Sequence, residues 1–76
     1  MVWMEVESSV LSAVAYPQNE RLVFVEFRSK EIYCYFEVPP EQYEELLRAD
    51  SKGGYFNRHI RNYFRDQHLG LYRKAP

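Results

Sequence analysis

The pattern of apolar positions changes period partway along the chain. Between Ser9 and Val38, apolar residues alternate with polar ones or form short runs rich in Val, Phe and Tyr, which is a strand pattern. It predicts strands over 10–16, 21–28 and 31–38. Pro17-Gln18-Asn19-Glu20 supplies the first turn, because Pro presets a turn φ and Asn tolerates left-handed geometry. Ser29-Lys30 reads as a two-residue hairpin tip that sets Arg28 opposite Glu31. In that register Val23, Val25 and Phe27 share one wholly apolar face with Phe36, Cys34 and Ile32. The other face then carries Leu22, Phe24, Glu26 and Arg28 with Glu31, Tyr33, Tyr35 and Glu37.

After Val38 the spacing becomes helical. Pro39-Pro40 cannot continue a central strand but suits the start of a helix, where a missing N–H is no loss. Tyr43, Leu46 and Leu47 fall at i, i+3 and i+4, so a helix over 40–49 should lay them on the apolar sheet face. Asp50-Ser51-Lys52-Gly53-Gly54 interrupts. A second helix is predicted from 52 or 53 to 64, with Ser51 as N-cap and Phe56, Ile60 and Tyr63 on its buried stripe. Residues 67–76 contain a Gly and a terminal Pro without clear period, and are expected to form a loosely ordered tail. The pattern gives one α+β domain over 5–66: a three-stranded antiparallel meander followed by two helices packed on the sheet.

A length of 76 residues allows one small core. At 17% aromatic residues, part of that aromatic surface should stay exposed. The single cysteine, Cys34, excludes a disulfide scaffold and a multi-thiolate metal site. The opening residues lack a basic segment followed by an apolar stretch, and no run reaches ~18 apolar residues. A soluble, cytoplasmic protein that does not engage a membrane is therefore expected. The net charge of −1 hides a division. Residues 1–50 hold four cations against ten carboxylates, net −6, whereas residues 51–76 hold six cations against Asp66 alone, net +5.

Several of these residues together resemble a known family. Ser8-Ser9 before a first strand, Tyr16-Pro17, Tyr33-Cys34-Tyr35, Val38-Pro39 and the run Ala49-Asp50-Ser51-Lys52-Gly53-Gly54-Tyr55-Phe56-Asn57-Arg58-His59-Ile60-Arg61 are similar to the KTSC domain. That domain occurs at the C-terminus of some lysyl-tRNA synthetases and as short free-standing bacterial proteins. The resemblance spans 6–63, and Ala15 departs from a Gly that family members often carry before the Tyr. It implies no established activity, only an expected role in binding RNA, whether tRNA or another structured or single-stranded RNA.

The candidate chemistry is that of binding. Tyr33 and Tyr35 share one face of a strand and could stack bases, although Glu26 and Glu37 beside them would repel phosphates; otherwise they pack under the second helix or a partner chain. Arg58, Arg61 and Arg65, with Lys52 and His59, form a helical basic stripe suited to a phosphate backbone, or else a solvated face that pairs with the acidic first helix. Ser51-Lys52-Gly53-Gly54 offers N–H groups beside a cation, or simply caps a helix and turns. Phe24, Tyr33 and Tyr35 make an alternative surface for a protein partner or a second copy. Cys34 on the core face, and His59 and His68 without acidic partners at ligand spacing, favour neither nucleophilic catalysis nor a metal site. No enzyme activity and no cofactor are expected.

Overall fold

The computed structural model describes residues 1–17 and 19–71. Among them, five antiparallel strands lie side by side in chain order: β1 (Met4–Glu5), β2 (Leu11–Ala15), β3 (Val23–Phe27), β4 (Glu31–Tyr35) and β5 (Asp66–Leu71). Two helices, α1 (Pro40–Arg48) and α2 (Lys52–His59), join β4 to β5. The α+β class and both helices agree with the sequence pattern. The three-stranded meander does not, because it gains a strand at each edge.

The tip between β3 and β4 decides which residues are core. It contains three residues, Arg28, Ser29 and Lys30, where the sequence suggested two. Lys30 donates its N–H to the Phe27 carbonyl at 2.8 Å and takes a left-handed φ of 80°. This is the geometry of a three-residue hairpin loop, a turn followed by one left-handed residue. The extra residue slips the register by one, pairing Val23 with Tyr35, Phe24 with Cys34, Val25 with Tyr33 and Glu26 with Ile32. A slip of one exchanges the faces of a whole strand. Tyr33 and Tyr35 therefore join Val23, Val25 and Phe27 under the helices, whereas Phe24, Glu26, Ile32 and Cys34 take the opposite face. Cys34 is buried, but not among Val25, Phe36 and the α1 leucines.

A bulge makes β2 fit the same arrangement. Leu11 pairs with Phe27 and Ala13 with Glu26, leaving Ser12 as the extra residue between them. The shift lets Leu11 and Val14 share the helix face despite their odd spacing, and it brings the Ser12 hydroxyl within 2.7 Å of the Glu26 carboxylate. The core beneath the helices is Leu11, Val14, Val23, Val25, Tyr35, Val38, Leu46, Phe56 and Ile60.

Helix α1 starts at the Pro39-Pro40 pair and buries Leu46. Ser51 caps α2 by accepting the Gly54 N–H at 3.1 Å. Gly53 is buried, and a Cβ there would lie 2.9 Å from a Val10 methyl carbon, so α2 can approach the segment leading into β2 this closely only without a side chain. Helix α2 ends earlier than the periodicity suggested. The N–H groups of Ile60 and Arg61 both reach the Phe56 carbonyl, and Asn62 takes a left-handed φ of 71° that turns the chain away. Tyr63, expected on the buried stripe, is 72% exposed, and Phe64 packs against the core instead.

The stretch expected to be loosely ordered contains β5. Its residues pair with β4 from Glu31–Leu71 to Tyr35–Asp66, and Phe36 extends the ladder by donating to the Arg65 carbonyl. Gly70 and the polar Gln67 and His68 hide this strand from propensity rules, since an edge strand takes its stability from its partner. Residues 72–76 of the expected tail lie outside the described residues.

Candidate nucleic-acid interface

The aromatic pair singled out in the sequence is not an open platform. Tyr35 is 1% exposed, and its ring meets Phe56 of α2 edge-on at 5.3 Å. Burial, then the neighbouring carboxylate of Asp66, pushes its hydroxyl pKa up to about 12. Tyr33 is half-buried among three rings: Tyr35 at 6.5 Å, Phe27 edge-on at 5.5 Å and His68 of β5 at 4.7 Å. The His68 Nε2 lies 3.6 Å from the Glu31 carboxylate. Phe24 lies on the opposite sheet face against Trp3, so Phe24, Tyr33 and Tyr35 do not form one surface.

The basic residues do reach solvent, but not as a helical stripe. Arg58 and His59 belong to the last turn of α2, Arg61 to the turn after it, and Arg65 to the link into β5. All four are exposed. Two of the arginines lie over rings: the Arg61 guanidinium carbon sits 5.5 Å from the centre of Phe27, and that of Arg65 sits 4.6 Å from Phe36. Such stacking orders a guanidinium while leaving its N–H edge free for an anion. Arg61 also donates to Asn57 Oδ1 at 3.2 Å. His59 stacks on Tyr55 at 4.5 Å. Among the described residues, no carboxylate lies within 4.0 Å of the Arg58, Arg61 or Arg65 guanidinium groups.

Lys52 stands apart from this group. Its ammonium donates to the Ala49 carbonyl at 3.1 Å and so satisfies the end of α1. The acidic face of α1 is engaged elsewhere: Tyr55 of α2 donates to Glu45 and accepts from Gln42, each at 2.8 Å. Burial raises the Tyr55 hydroxyl pKa, with Glu45 adding to the effect.

Two residues that sequence reasoning left out belong here. Arg28 borders an open groove of about 270 Å³ with Phe27, Glu31, Tyr33 and Arg61. Tyr63 stands in the turn between Arg61 and Arg65. Asn62, a residue that favours left-handed helix ends, was the available signal that the helix would stop short of Tyr63. A larger open hollow, of about 700 Å³, is lined by Tyr16, Asn19, Arg21, Tyr43, Glu44 and their neighbours, and carries mixed charge. Among the described residues, no helix is long and apolar enough to cross a membrane, and no group of three His, Cys, Asp or Glu could hold a metal ion.

Comparison with known proteins agrees with this architecture. A KTSC domain protein from Yersinia pestis, known from its crystal structure, superposes with a TM-score of 0.87 at 28% identity, covering 91% of this chain and 97% of that one. An uncharacterised protein of Stutzerimonas stutzeri is 39% identical over 67 residues, 88% of this chain and 89% of its own length. Lysine–tRNA ligase of Nostoc punctiforme is 40% identical over 63 residues, 83% of this chain, which spans only 11% of that enzyme. The KTSC domain family matches residues 7–64, and with that match the chain belongs to the KTSC domain family.

Proposed function

We propose that this domain binds RNA through the exposed arginines at and beyond the end of α2, Arg58, Arg61 and Arg65, with Arg28 sharing a groove with Arg61. The supporting observation is that the three arginines are exposed, with no carboxylate within 4.0 Å among the described residues, in a part of the chain with six cations and one carboxylate. Ordinary surfaces intersperse the two signs. Guanidinium groups held over rings are prepared to meet phosphate oxygens with little further ordering. A related segment within lysine–tRNA ligases, enzymes whose substrate is tRNA, supports the same reading.

Binding of this kind is largely counterion release, so it must weaken with salt. Three phosphate contacts to a single strand give a slope of roughly −2 in log K against log salt, at about −0.7 per phosphate. Replacing Arg58 and Arg61 together by Gln should lower affinity and flatten that slope by about 1.4. Fluorescence anisotropy with labelled RNA across a salt series measures both. No binding to RNA by the wild-type chain at ~20 mM salt, where screening is weak, would sink the proposal.

A further inference from the structure

We infer that the groove shared by the β3–β4 tip and Arg61 holds one guanosine nucleotide, with its phosphate on Arg28 and Arg61 and the edge of its base on Glu31. The inference rests on the RNA reading above and names the base selected. The structure brings the parts together: Phe27, Arg28, Ser29, Glu31, Tyr33 and Arg61 all line one open groove of about 270 Å³. That is just below the ~300 Å³ at which drug-sized pockets begin, so the groove admits a single nucleotide and not a longer stretch. Its opposite charges are unpaired. Arg28 and Arg61 share the groove with Glu31, yet neither guanidinium lies within 4.0 Å of its carboxylate.

Each charged group has contacts of its own instead. The Arg61 guanidinium carbon sits 5.5 Å from the centre of the Phe27 ring, and the group donates to Asn57 Oδ1 at 3.2 Å. The Arg28 N–H donates to the Val10 carbonyl at 3.0 Å, which ties the tip to the segment leading into β2. Glu31 accepts from the Ser29 hydroxyl at 3.4 Å, and the His68 Nε2 lies 3.6 Å from it. Both distances exceed the ~2.7–3.2 Å of ordinary hydrogen bonds, so the carboxylate keeps lone pairs for a ligand. A groove for a bare anion would gain nothing from that carboxylate. Two cations and one carboxylate fit a ligand that carries an anion and, apart from it, a pair of hydrogen-bond donors. Among nucleotides that is guanosine, whose N1–H and N2 amino group are adjacent donors that a carboxylate meets with both oxygens. Adenine and cytosine set a donor beside a ring-nitrogen acceptor, and uracil sets one donor between two carbonyls, so each would bring an acceptor against the carboxylate. Phe27 and Tyr33 give the groove an apolar wall for a flat base. In a duplex the guanine edge is already paired, so the RNA must be single-stranded there.

The experiment measures anisotropy of a labelled oligouridylate carrying one central guanosine and of the same strand with adenosine there, while calorimetry follows 5′-GMP and 5′-AMP separately. Wild type should bind the guanosine strand roughly 5- to 150-fold more tightly, the worth of one bidentate base contact. Glu31→Gln should abolish that preference at an unchanged melting temperature. Arg28→Gln should weaken both strands alike and flatten the salt slope by about 0.7. GMP binding that Glu31→Gln abolishes, in a chain that binds neither strand, would keep the guanosine site and end the RNA reading. Equal affinity of wild type for the two strands, or a preference that survives in Glu31→Gln, overturns the guanosine site and leaves the RNA reading standing. If no strand and no nucleotide binds, both fail.

Discussion

On the side of the sheet covered by α1 and α2, large rings interlock: Phe56 meets Tyr35 at 5.3 Å and Phe27 at 5.5 Å, over Leu11, Val14, Val23 and Val25. On the other side the buried residues include no aromatic ring. Ala13, Ala15, Ile32 and Cys34 are buried on the same face as Glu26, itself 2% exposed, whose carboxylate accepts from Ser12. Phe24 is only half-buried there, edge-on to Trp3 at 6.5 Å. The strands present apolar groups in both directions, yet only one side has the volume and the helices to act as the main source of stability. Burial of a residue in this fold therefore does not identify the face that stabilises it.

The largest expected effect tests that asymmetry directly. Phe56→Ala empties the centre of the ring cluster and should cost about 3–5 kcal/mol. That is a large fraction of the about 4–11 kcal/mol that a domain of this size has, at roughly 0.05–0.15 kcal/mol per residue. Phe24→Ala should cost less, about 1–2 kcal/mol. Urea titrations of both variants decide the matter: equal losses would mean that the face opposite the helices is an equal core.

A smaller effect comes from Tyr35. Unfolded, its hydroxyl ionises near 10.0, and folded near 12, because burial disfavours the phenolate. Below pH 10 both states keep the proton. As pH rises from 10 toward 12 the unfolded chain loses it first, so stability should fall by roughly 2–3 kcal/mol across that window. Tyr35→Phe should remove this portion of the alkaline loss, leaving a shallower decline from Tyr16, Tyr43 and Tyr55, whose hydroxyl pKa values burial also raises. An equally steep decline in the variant would place Tyr35 on a solvated face and undo the register.

The smallest effect tests the hairpin tip that sets the two faces. Lys30 is left-handed and Ser29 is not. Lys30→Gly should stabilise by up to about 1 kcal/mol, and Ser29→Gly should not stabilise at all. A two-residue tip needs positive φ at Ser29, alone or with Lys30. Stabilisation by Ser29→Gly would thus restore the pairing of Arg28 with Glu31 and exchange the faces.

How far the fold could be read from residues alone follows from the same details. The central strands and both helices have strong local signals: Val- and Phe-rich runs, Pro39-Pro40, the Ser51 cap, and Tyr43, Leu46 and Leu47 at helical spacing. Strand β5 has none, because Asp66, Gln67, His68 and Gly70 acquire strand geometry only by pairing with β4. The arginines were legible as a charge excess but not as a surface, since the early end of α2 moved Arg61 and Arg65 off the helix. The family motif was readable because it joins residues that fold locally, with Gly53 and Gly54 beside their cap.

Sequence by itself determined the class of the domain, the number and places of its helices, its acidic first part and basic last part, and its likeness to the KTSC family. These depend on local propensity, capping and charge, which act over a few residues. Tertiary structure alone decided which way Tyr33 and Tyr35 point, where Cys34 is buried, that β1 and β5 complete the sheet, and that Tyr63 faces solvent. Apolar residues on both sides of β3 and β4 make either register acceptable to local chemistry. The choice between them depended on one left-handed residue at Lys30, on the bulge at Ser12, and on whether the ring of Phe56 had Tyr35 to pack against.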